Sequence, residues 1–136
     1  TLRQAESVYP MADITDIYFD FRLFIREKDS RKMAEAVGIL EVFGLATAFV
    51  AADAGCKAAN VHLEVFDKNK PANADSLPVP LLVCIKFRGS VSDVTEAVEA
   101  GIRVAESMTG VVQHYVIPNP EPGTQKMLKI SALDKD

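Results

Sequence analysis

Gly44 to Asn60, GLATAFVAADAGCKAAN, is the stretch whose reading decides the fold. Ala, Gly and polar residues dominate it. A helix so poor in Leu lets neighbours come close while burying little apolar area, which suggests a flat unit suited to tiling rather than an enzyme built around a deep cleft. The spacing predicts this helix over about Leu45 to Ala59, flanked by strands at Glu35 to Phe43 and Val61 to Asp67. Further on, a strand is expected at Leu81 to Arg88. Gly89 and Ser90 then turn into a second helix that runs to about Met108, with Ser90 or Ser92 as its cap. Gly110 ends that helix, Val111 to Ile117 forms the last strand, and Pro118, Pro120 and Pro122 stop it.

The order is therefore β-α-β-β-α-β. Two β-α-β halves packed antiparallel give an α/β (α+β) ferredoxin-like sheet with both helices on one face. Lys68 to Pro80 (KNKPANADSLPVP) interrupts the order as a long loop. Proline lacks the donor a strand ladder needs, so Pro71, Pro78 and Pro80 argue against regular structure there. Residues 1–34 read as an extension: an arm containing Pro10, then an alternating strand from Asp16 to Arg26, then a charged turn, Glu27 to Lys32. Residues 35–120 form the domain. Residues 121–136 form a tail with a short helix through Met127, Leu128, Ile130 and Leu133. The extension, the tail or a neighbouring subunit is left to cover the second sheet face.

The chain has 136 residues, 49% hydrophobic and 25% charged, which is enough for one modest core. Its net charge of -4 gives no basis for nucleic acid or an anionic membrane as partner. Apolar runs fall far short of the roughly 20 residues that cross a bilayer, and no export signal is read. Cys56 and Cys84 have no ligand-like neighbours and read as small buried hydrophobes in a reduced, cytosolic protein.

Catalytic chemistry is hard to assemble. His62 and His114 lie on different strands without the clustered ligands a metal needs, so neither a metal nor a cofactor is expected. An enzyme would have to recruit Asp67, Asp75 and His62 near the long loop, and no base–nucleophile pairing supports them. The glycines form no phosphate-binding pattern. Gly55 and Gly101, inside predicted helices, are tolerable where another backbone passes close by. Asp53 and Lys57 sit four apart on one helical face, with Phe49 a turn earlier, and read as an ordinary surface pair.

Three runs carry a resemblance: EAVGILEVFGLATAFVAADAGCKAANVHLEVFDK, VCIKFRGSVSDVTEAVEAG and VVQHYVIPNP. In order and spacing, Glu35 to Pro118 resembles the hexamer-forming bacterial microcompartment shell proteins. The resemblance implies a structural, non-enzymatic protein: a flat homohexamer tiling with other shell proteins around encapsulated enzymes, in a cytoplasmic microcompartment, with small metabolites crossing a central pore. It implies that Lys57 sits at the hexamer edge, with Asn60 in the same region. It also implies that the loop after the second core strand lines the pore, so Lys68, Asn69, Lys70, Asn73, Asp75 and Ser76 are the polar groups that solutes meet.

The chain departs from the family pattern in three ways. The usual short Gly-containing pore loop is replaced by the long Gly-free segment, whose six copies narrow or plug the pore or rise as a collar above it. Asn119 stands where the family usually has an edge arginine, which points to a weaker or differently directed contact. The N-terminal extension is additional. Fold alone also permits a small ferredoxin-like regulatory or ligand-binding oligomer, which would need a pocket between subunits or between the sheet and the N-terminal strand.

Overall fold

The computed structural model describes residues 35–131. The strand expected at Asp16 to Arg26 and the rest of the N-terminal extension lie outside the described residues, as does Leu133. The core elements follow in the expected order. β1 is Ala36–Phe43, α1 Leu45–Ala58, β2 His62–Leu63, β3 Asp67–Asn69, β4 Leu82–Gly89, α2 Val91–Glu106, β5 Val111–Ile117 and α3 Pro122–Leu128. The sheet runs β5–β1–β4–β2 with β3 also on β4, and every pairing is antiparallel. This is the ferredoxin-like arrangement.

Alternation along the central strands builds the core. Leu40 and Val42 of β1 and Val83, Ile85 and Phe87 of β4 are fully buried beneath Ala48 and Ala51 of α1 and Val94 and Ala97 of α2. The small residues of α1 serve this interior. Thr47, Ala48, Ala51, Ala52 and Gly55 are its buried stripe. A Cβ on Gly55 would lie 2.9 Å from the Ala97 carbonyl of α2, and one on Gly101 would lie 3.3 Å from the Ala51 carbonyl of α1. The two helices cross backbone to backbone at these glycines, so a helix poor in Leu reflects a close pair within one chain. Tiling is not needed to explain it.

The ends of α2 follow local rules. Ser90, not Ser92, is the N-cap: its Oγ accepts from the Asp93 N–H at 3.1 Å and donates to Asp93 Oδ2 at 2.9 Å. At the far end Gly110 takes φ 111° and donates to the Ala105 carbonyl at 2.8 Å, a left-handed exit that suits glycine.

Several expectations are corrected. The strand over Val61 to Asp67 is two pieces. His62 and Leu63 pair with Arg88 and Phe87, whereas Asp67 pairs with Cys84, so one extra residue is accommodated between them. Within that irregularity Glu64 turns its carboxylate to Arg88, 3.2 Å away. Lys68 and Asn69 belong to β3 rather than to the irregular loop, because the pairing persists until just short of Pro71. A single 3-10 turn, Ala74–Ser76, also gives the loop some regular structure. α3 stops at Leu128, and of Met127, Leu128 and Ile130 only Leu128 is buried. Cys56 and Cys84 are free and half-buried rather than sealed in the core.

Part of the sheet face opposite α1 and α2 is covered by the C-terminal segment. Lys86 and Arg88 of β4 reach it from that face: Lys86 Nζ donates to the Leu128 carbonyl at 3.0 Å, and Arg88 donates to Gln125 Oε1 at 3.1 Å.

Candidate functional site

The loop leaves β3 after Asn69 and rejoins the sheet at β4, where Asn69 is itself paired with Leu82. It carries its own hydrogen bonds. The Ala74 N–H donates to Pro71 O at 3.0 Å, the Ser76 N–H to Asn73 O at 2.9 Å, and the Leu77 N–H to Ala74 O at 3.0 Å. Ser76 Oγ adds a bond to Asn73 O at 2.8 Å. Ala74, the first residue of the 3-10 turn, is buried. The return limb is fixed to the body where the Gly44 N–H donates to Leu81 O at 2.8 Å. Gly44 holds φ 90° there, with Val79 3.3 Å from where its Cβ would stand.

The six polar loop residues named from sequence, Lys68, Asn69, Lys70, Asn73, Asp75 and Ser76, are all exposed. Among the described residues no ion pair joins Lys70 to Asp75. The loop thus exposes Lys70 and Asp75, with Lys68 exposed on the strand before it, and its own backbone turns are already satisfied.

The residues expected at the edge stand elsewhere. Lys57, in the last turn of α1, is exposed, with Nζ 2.8 Å from Asp53 Oδ2. The hydrogen bond that the ammonium donates to Asp53, and then the charge of Asp53, push the Lys57 pKa up. Asn60 is exposed and donates its N–H to Asp93 Oδ1 at 3.4 Å; its carbonyl lies 3.0 Å from the Cβ position of Gly89, where β4 ends. Asn119 is exposed two residues beyond Ile117, whose register partner is Val37 at the start of β1.

These placements sort the candidates by the two ends of the sheet. β4 starts at Leu82 beside the loop and finishes at Gly89 beside Asn60. Eight antiparallel residues separate the two groups by on the order of 20 Å. The loop set and the set expected at the edge therefore lie apart.

His62 is exposed with Nδ1 3.6 Å from Glu35 Oε2, and His114 is exposed on β5. No group of three metal-binding side chains occurs among the described residues. A hollow of about 320 Å3 lies on the sheet beside Ile39, Glu41, Gln113, His114 and Tyr115. The carboxylate in it, Glu41, accepts from Gln113 Nε2 at 3.3 Å. Burial, reinforced by Glu41 and Asp67, pushes the Cys84 thiol up to about 11, and burial also raises Cys56.

Sequence reasoning assigned no role to Lys86 and Arg88, which are 1% exposed. The signal was their spacing: two cations at i and i+2 among Ile85 and Phe87 must share the strand face away from the core.

Residues 36–120 match the family model for the BMC domain. The carboxysome shell protein CcmK3 of Halothece sp. is 36% identical over 105 residues, 76% of this chain and 94% of the relative. The bacterial microcompartment shell protein PduA of Salmonella typhimurium is 36% identical over 94 residues, 69% of this chain and 90% of the relative. Among solved structures, a microcompartment protein from Desulfitobacterium hafniense DCB superposes with a TM-score of 0.54 at 27% identity over 74% of this chain. The chain spans half the length of that protein.

Proposed function

The chain belongs to the BMC domain family, and from that premise we propose that it is a structural, non-catalytic protein of a bacterial microcompartment shell, assembled as a homohexameric tile with a central pore. The observation that carries the tile is the separation of the loop from Lys57, Asn60 and Asn119 at opposite ends of one sheet. A cyclic assembly needs such polarity, because one end of each subunit must converge on the axis while the other forms the perimeter.

Six copies of the segment 68–80 then surround the axis. Sixfold repetition turns single exposed groups, such as Lys68, Lys70 and Asp75, into a ring with a strong local field. Small polar metabolites are the solutes such an opening admits. At the perimeter, Lys57, Asn60 and Asn119 meet neighbouring tiles, which are copies of this chain or other shell proteins, and the closed shell encloses its enzymes.

Multi-angle light scattering on the purified chain tests the assembly. The expected mass is six times 14.8 kDa. A stable monomer, dimer or pentamer would sink the hexamer.

A further inference from the structure

Lys86 is the most deeply buried amine of the described residues, and neither the pore loop nor the tile edge accounts for it. Its neighbour on the same face, Arg88, is explained locally. Arg88 donates to the Ala36 and Glu35 carbonyls at 3.2 and 3.3 Å, to Glu64 at 3.2 Å and to Gln125 at 3.1 Å, chiefly fastening the start of β1 to the β2 edge. Lys86 does something different. Its ammonium has three protons, and three acceptors from two remote segments take them. Asp67 Oδ2 stands at 3.2 Å, Leu128 O at 3.0 Å and Ile130 O at 3.3 Å.

Each partner has a particular place. Asp67 is the first residue of β3, the three-residue strand from which the loop departs. Leu128 and Ile130 are at and just beyond the end of α3, where helix carbonyls lack intrahelical partners and a cation is favoured. A charge so buried is stable only while its partners stay in place, and loss of one partner weakens its hold on the others.

We propose that Lys86 couples the C-terminal segment to the root of the loop, one ammonium holding both the end of α3 and the start of β3. With the segment docked, Lys86 is sealed and its bond to Asp67 is shielded from water. When the segment lifts, the ammonium meets solvent and the Asp67 pair becomes an ordinary screened surface pair. A three-residue strand has few ladder bonds to fall back on, so β3 loosens. Displacement of residues 122–130 is thereby felt at the base of the loop. That this loop lines a pore rests on the function proposed above; the coupling itself does not.

Hydrogen exchange on the full chain tests it. Lys126→Pro breaks the exposed middle of α3 without touching Lys86 or the core. The expected result is exchange faster by about tenfold or more in peptides covering both 122–130 and 67–70, with α2 and β5 unchanged. Lys86→Met should loosen the same two segments, and the double variant should exceed neither single variant by much, because both act through one linkage. Wild-type exchange at 67–70 in Lys126→Pro overturns the proposal whatever α3 does, and that variant remains decisive should Lys86→Met fail to fold. A light-scattering mass other than the hexamer's would leave this result standing, and the reverse holds equally.

Discussion

Lys57 and Cys84 show how far single side chains can be read. The Lys57–Asp53 pair is exposed on both sides and has little to do with holding the fold together. Lys57→Ala should therefore leave the thermal midpoint and the ring mass unchanged while weakening association of tiles into sheets, as scored by negative-stain microscopy. Undiminished sheets would move the contact away from Lys57. Cys84 is a different case, because its thiol is pushed up to about 11 chiefly by burial. At pH 8 about one molecule in a thousand carries the thiolate there, so alkylation should be far slower than in the unfolded chain. An unfolded thiol ionises near pH 9 while the folded one holds its proton. Stability is thus intact below pH 9 and declines as pH rises towards 11, by no more than about 2 kcal/mol because the site is not sealed. Denaturant midpoints at pH 8 and pH 10.5 should differ less in Cys84→Ala than in the parent chain.

Among the elements, the helix pair gives the sharpest contrast. An added methyl at Gly55 meets the Phe87 ring at 2.5 Å and the Ala97 carbonyl at 2.9 Å, both of which are fixed. At Gly101 the nearest atom is the end of the Leu40 side chain, at 2.7 Å, with backbone no closer than 3.3 Å. Alanine gains about 1 kcal/mol of helix propensity at either site. Gly55→Ala should still lose roughly 1–3 kcal/mol to overpacking, whereas Gly101→Ala should come out near neutral, and urea unfolding measures both. The strands and helices of the core were legible because hydrophobic period and caps such as Ser90 act locally. Three features were not: the break between β2 and β3, the extent of α3, and the choice of the tail among the three candidates offered to cover the sheet. Lys86 and Arg88 bond to these segments with partners 19 to 53 residues away, and local pattern carries no information about which carboxylate or carbonyl a buried cation will find.

For the whole molecule, the sequence could name loop and edge residues only through resemblance to a family, since exposed Lys, Asn and Asp have no period of their own. Which end of the sheet each set occupies needed the register. With that register known, the loop becomes a testable part of the assembly. Its prolines limit its freedom, its turns are internally bonded, and Val79 and the Gly44–Leu81 bond seat it on the domain, so six copies should form a fixed constriction rather than flapping lids. Replacing residues 70–78 with a short Gly-Ser link keeps Val79 against Gly44 and the Gly44–Leu81 bond that joins loop to helix. The hexamer mass should be unchanged, with a stability loss of about 1 kcal/mol, the scale of burying one small side chain. Electron microscopy of the tiles should then show a wider axial opening. An opening of unaltered width would place the loops away from the axis, and the segment would need another role.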